Sequence, residues 1–151
     1  MKNLFTMLSI VAVVFFNSCK KNEIGEEMSN STSLIGTWEL RQAQFSMMPM
    51  QNYFEGNGNI LKFTGSTYER FTNGILVKSG NYFIMNDSTV EAEVGLVIPE
   101  GQFINRVVFD SISSPRKTFM EISNSKLTLL SGYFPLDGGS KELYERLTNH
   151  R

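Results

Sequence analysis

Leu34-Ile35-Gly36-Thr37-Trp38-Glu39-Leu40 is the stretch on which the fold of this 151-residue chain turns. Thr37 to Gln42 reads as a strand, because Trp38 and Leu40 stand two apart and share one face of a pleated backbone. Gly36, just ahead, has no Cβ and allows a close backbone approach. From here on, apolar residues alternate with polar ones, and Gly, Asn, Asp and Ser cluster at short intervals. That pattern belongs to an antiparallel all-β meander.

Gly56-Asn57-Gly58-Asn59 predicts a turn before a strand at residues 60–63, and residues 67–71 form the next strand. Asn73-Gly74 is the strongest hairpin signal, since both residue types tolerate the positive φ of a type I′ turn. Residues 75–85 continue, with Gly80 expected at a bulge or bend, and Asn86-Asp87 turns the chain. Residues 88–98 carry the cleanest alternation: Val90, Ala92, Val94, Leu96 and Ile98 on one face, Glu91 and Glu93 on the other. Residues 103–109, 118–122 and 126–130 add three strands, with Asn124-Ser125 turning between the last two. A final strand at 142–147 follows Gly138-Gly139. About eight or nine short strands without a long amphipathic helix predict an all-β fold: a small up-and-down antiparallel β-barrel of about eight strands, since closure removes exposed edges.

The chain has 14 basic and 15 acidic residues. Without residues 1–18, which contain Lys2 alone among charged residues, 13 basic face 15 acidic, a net of −2. This balance gives no reason to expect a nucleic-acid partner or a general attraction to anionic lipid headgroups. One cysteine excludes an internal disulfide. Twelve Phe, five Tyr and one Trp supply bulk for one modest core.

The N-terminus reads as an address. Met1-Lys2-Asn3 is a short positive start, and residues 4–16 form an apolar run broken only by Thr6 and Ser9. The run falls short of the roughly 20 residues of a comfortable bilayer span and suits the apolar core of a signal peptide. Phe16-Asn17-Ser18-Cys19 resembles a lipobox in the variant form of Bacteroidetes lipoproteins, with Phe16 where the usual pattern prefers Leu. The resemblance implies cleavage before Cys19, thioether lipidation of Cys19, acylation of the new amine, and an anchor in the outer membrane of the cell envelope. The expected organisation is a signal peptide over 1–18, a lipid-anchored tether over 19–33, too polar to order itself, and a barrel domain over 34–148.

Gly36-x-Trp38 also resembles the hallmark of lipocalin-like proteins, in which the first strand opens with Gly-x-Trp. The resemblance is closer to the compact lipocalin-like domains of Bacteroidetes lipoproteins than to vertebrate carriers. It implies that Gly36 sits at a barrel floor, that Trp38 plugs that floor, and that a late Arg covers the indole. Arg146 fits that role by position and would gain a cation–π contact. Gly36, Trp38 and Arg146 are thus read as structural. The body is short for this fold and shows no sequence signal for the helix that usually packs outside the barrel.

Little in the chain suits catalysis. His150, the one histidine, stands near the C-terminus, and no acid, base and nucleophile set can be assembled. Glu91 and Glu93 read as a solvated strand face. Gly56-x-Gly58 lacks the strand-to-helix context of a phosphate loop, and Asp87 and Asp110 lack calcium-loop spacing. Ser46-Met47-Met48-Pro49-Met50 places three thioethers within four residues. Cu(I) would suit soft sulfur, yet no His or usable Cys completes such a site. Loop packing, or a flexible lid facing a ligand, fits better.

The expectation is a non-catalytic module without cofactor or metal, lipid-anchored through Cys19, that binds a small hydrophobic ligand or peptide. Its candidate contacts are Met47, Met48, Met50, Tyr53 and Phe54 at the mouth, with Tyr68 and Phe83 inside. The competing reading is a filled barrel acting as a structural or interaction component of an envelope complex, with a protein partner.

Overall fold

Asn73 (φ 51°) and Gly74 (φ 78°) make the tight turn that the sequence announced. They join the paired residues Thr72 and Ile75 in the geometry whose twist matches the flanking strands. Asn124 (φ 56°) serves the turn between the paired Ser123 and Lys126. The computed structural model describes residues 33–111, 115–136 and 138–148. The expected signal segment, Cys19, the tether up to residue 32, and His150 lie outside the described residues.

The strands are β1 (Gly36–Phe45), β2 (Gln51–Asn52), β3 (Ile60–Thr64), β4 (Thr67–Thr72), β5 (Ile75–Asn86), β6 (Asn105–Phe109), β7 (Thr118–Ser123), β8 (Lys126–Ser131) and β9 (Ser140–Arg146). One helical turn, α1 (Val90–Val94), lies between β5 and β6. All pairings are antiparallel, and β1 pairs with β3 along one edge and with β9 along the other. Eight strands thereby close into an up-and-down barrel, and the short β2 extends the wall beside β1 as a ninth. β2 had no sequence signal, because two exposed polar residues carry no alternation.

The first strand's N-terminal end marks the floor. Trp38 is fully buried there, and its Nε1 donates to the Leu34 carbonyl at 2.8 Å. The Arg146 guanidinium lies 4.1 Å from the indole centroid and donates to the carbonyls of Ile35 and Ser33. Gly36 adopts φ 145°, and a Cβ there would stand 2.6 Å from Arg146 Nη1; only glycine admits the guanidinium so close. Above this plug, Leu61, Phe63, Tyr82, Val107, Met120, Leu127 and Leu129 fill the lower interior. Phe63 meets the Tyr82 ring edge-on at 4.8 Å.

A second cluster lies on the other side of the same wall. In β7 and β8, Met120 pairs with Leu129 facing inward, while Phe119 pairs with Leu130 facing outward. Phe119 and Leu130 are buried nonetheless, under Val90, Val94 and Phe103 from the β5–β6 connection. This connection runs as a strap outside the barrel as far as the β8–β9 loop, where Phe134 N–H donates to the Val94 carbonyl at 2.9 Å. Asp87 accepts from Lys117 Nζ at 3.2 Å and sits 3.2 Å from Arg106 Nε, and Lys117 also reaches Glu93 at 2.9 Å.

The strap corrects one expectation. Residues 88–98 are not a strand but a single helical turn followed by an irregular segment. Val90 and Val94 stand four apart, a spacing that suits a helix face as well as a strand face. Gly95 (φ 67°), Pro99 and Gly101 (φ 82°) then prevent any extended continuation. Glu91 and Glu93 consequently do not share a solvated strand face: Glu91 accepts from Ile98 N–H at 3.1 Å, and Glu93 binds Lys117.

Gly80 is also not the bulge. β5 keeps its register through Gly80, and the irregularity lies three residues away at Val77, left without a partner between the pairs Arg70–Lys78 and Phe71–Leu76. A Cβ at 80 would meet Asp110 Oδ1 and lie 3.1 Å from the Tyr68 ring, so a side chain there would displace the Asp110 carboxylate.

Candidate functional site at the barrel mouth

The barrel's opposite end, the mouth, is built differently from its floor. In β4 the period of two puts Tyr68 and Arg70 on the inner face, and Arg70 pairs with the fully buried Leu61. In β5 the inner residues are Lys78, Gly80 and Tyr82, and Lys78 is the direct cross-strand partner of Arg70. In β9 they are Glu142 and Tyr144, the latter buried in the inner cluster.

Arg70 Nη1 reaches Glu142 Oε1 at 3.5 Å. β3 and β1 separate β4 from β9 in the wall, so this contact crosses the lumen. Glu142 Oε2 also accepts from the Tyr144 hydroxyl at 2.9 Å. Burial pushes the Tyr144 pKa up, and the adjoining Glu142 carboxylate adds to the shift. Burial works against the charge on Arg70, but Tyr144 and Glu142 outweigh it and hold its pKa above the usual value. A second set lies alongside. Asp110 accepts from Lys78 Nζ at 2.8 Å and from the Tyr68 hydroxyl at 3.0 Å. The bond from Lys78 is the main reason that the Asp110 pKa falls below the ordinary range.

The seven residues singled out in the sequence do not form one site. Tyr68 is buried inside, edge-on to Phe109 at 4.7 Å, and Tyr53 packs half-buried against the same cluster. Met47 and Met48 stand exposed in the loop after β1, and Phe54 is 91% exposed beyond β2. Met50 lines a cleft of about 200 Å³ on the outer wall with Gln42, Phe103, Thr128 and Leu143. Phe83 is on the outer face and not inside: its partner is Val108, while the inward pair is Tyr82 with Phe109. A one-residue difference in register reverses the face of every side chain in a strand.

Comparison of the chain with protein-family models, with curated proteins and with solved structures found no match. The reading of the site therefore rests on its geometry.

Among the described residues no His, Cys, Asp or Glu side chains gather as a metal site. A polar cleft of about 430 Å³ lies outside the floor, lined in part by Glu39, Arg41, Glu55 and Glu145. One cation, Arg41, gathers its carboxylates. Glu39, 3% exposed, accepts from Arg41 and from the backbone N–H groups of Gly56 at 3.1 Å and Gly58 at 3.4 Å. Arg41 also reaches Glu145 at 3.0 Å. These contacts tie the segment after β2 to the barrel wall, a structural role.

The sequence reading missed Arg70, Lys78, Glu142 and Asp110. A signal existed for two of them: the alternation that places Tyr68 inside also places Arg70 inside, and the one that places Tyr82 inside places Lys78 there. A cation on an inward face departs from the apolar rule and marks a position for examination.

Proposed function

We propose that this chain is an envelope lipoprotein, acylated at Cys19 and held in the outer membrane, whose lipocalin-like barrel is a non-catalytic binding module. Its ligand is a small, largely apolar molecule or a short peptide taken at the mouth. The observation that carries this reading is the contrast along the lumen. The floor is packed solid around Trp38, whereas the mouth keeps solvent-reaching polar side chains, Arg70 and Lys78, on its inner face. A barrel of about eight strands has room for one small ligand, and a filled floor confines it to the upper end. Met47 and Met48 in the loop after β1, and Ile75 and Leu76 at the start of β5, are exposed and offer apolar surface at that end. The test is titration of the barrel, expressed without residues 1–19, with fluorescent fatty acids and hydrophobic dyes. Saturable binding at one site, weakened by Met47→Ser with Met48→Ser, is expected; uniform absence of binding counts against the reading.

A second reading is favoured by one specific observation. β5 pairs with β4 along Ile75–Asn81 but with β6 only along Tyr82–Asn86. Ile75, Leu76 and Val77 are all more than half-exposed or close to it on that upper stretch. An apolar strand with an edge left over suits an interaction component of an envelope complex. Cross-linking from position 77 in intact envelopes, followed by identification of the adduct, tests it.

A further inference from the structure

We infer that the mouth recognises an oxyanion: the head of an amphiphilic ligand, a carboxylate or a phosphate monoester, set between Arg70 and Lys78. The inference rests on the carrier reading above and gives its ligand a chemical class.

Arg70 and Lys78 are direct partners across β4 and β5, on the inner face. Like charges placed directly opposite in a sheet repel and weaken the pairing, so the arrangement needs a reason. The two carboxylates nearby give a partial one. Glu142 and Asp110 approach the two cations from other elements, β9 and the end of β6, at 3.5 Å and 2.8 Å. Neither contact uses up its cation. A guanidinium carries five donors, and among the described residues Arg70 has one long ion-pair contact. Lys78 has three donors, one of them on Asp110.

The decisive feature is which member of each pair faces water. The Arg70 side chain is 35% exposed against 14% for Glu142, and that of Lys78 56% against 42% for Asp110. Tyr144 and Tyr68 donate to the two carboxylates from the barrel side, drawing negative charge inward and leaving the positive groups outermost. An arriving ligand therefore meets two adjacent cations, whose charge the two carboxylates behind them balance. Two donors side by side match the two oxygens of a carboxylate or phosphate.

The test uses the full acylated chain in nanodiscs of zwitterionic lipid, with empty nanodiscs as the blank, and equilibrium dialysis of octanoate, octyl phosphate and octanol. One of the anions should bind about tenfold tighter than octanol, the gain of one charge-assisted contact, and the tighter anion identifies the head. Arg70→Gln with Lys78→Gln should erase that preference while leaving octanol binding unchanged. Should the double variant fail to fold, added salt on the native protein replaces it: salt must weaken the anions and spare octanol. Equal affinity for all three ligands overturns the oxyanion site and leaves the carrier reading standing. Binding of none overturns both.

Discussion

Two hydrophobic clusters back onto the same strands and are buried by different means. The inner one, around Trp38, Leu61, Phe63 and Leu127, is enclosed by closure of the barrel itself. The outer one, around Phe119, Leu130, Val94 and Phe103, depends on a loose segment laid over the wall and fastened by ion pairs and the Phe134–Val94 hydrogen bond. Solvent reaches the first only if the barrel opens, but it reaches the second whenever the strap lifts. Burial alone therefore does not rank the two; what covers each residue does.

Substitution at the plug should have the largest effect. Trp38→Ala removes a fully buried indole, its bond to Leu34 and the seat of Arg146, and should destabilise by about 3–5 kcal/mol. Denaturant titration would show it; a midpoint shift no larger than that of a surface variant would break the comparison. Leu130→Ala in the outer cluster should lie near the bottom of the usual range, about 2 kcal/mol, because the strap can settle into the space. Hydrogen exchange sharpens the contrast: amides of the strap should lose protection through local opening while those of β1 keep theirs.

Arg146→Met comes next. It keeps the apolar stem but loses the cation–π contact and both carbonyl bonds, so about 1–2 kcal/mol should go, read as a lower melting temperature. The smallest effect belongs to Asp87. Burial alone would raise its pKa, yet the hydrogen bonds from Thr89 and Lys117 outweigh burial and place it below the ordinary value. A carboxylate depressed in the folded state contributes stability above its unfolded pKa and loses it as pH falls through the folded one. Asp87→Asn should therefore lower stability slightly at neutral pH and flatten the acid limb of a stability–pH curve below about pH 4, where variant and native protein converge. An acid limb as steep as the native one would show that the strap is fastened elsewhere.

Much of the wall was legible in the sequence. Gly36-x-Trp38, Asn73-Gly74 and Asn124-Ser125 are local signals, each decided by backbone sterics or side-chain size within a few residues. Residues 88–98 misled because valines at 90 and 94 satisfy both a period of two and a spacing of four; only the outward pair Phe119 and Leu130, far along the chain, decides between them. The mouth was less legible still. Glu142 comes 72 positions after Arg70, and their meeting depends on the register of every strand between. Alternation indicates that Arg70 points inward, but no local pattern indicates what it meets there.

The seam between β1 and β9 joins the two ends of the domain: Arg146 bonds to the carbonyl of Ile35, 111 residues earlier. A nascent chain cannot complete its cylinder until its last strand has emerged. Every shorter intermediate has two raw edges and an indole without its cap. Removing residues 140–151, and with them the whole of β9, should thus not trim the protein but return it to an unassembled ribbon, poorly soluble and open to proteases.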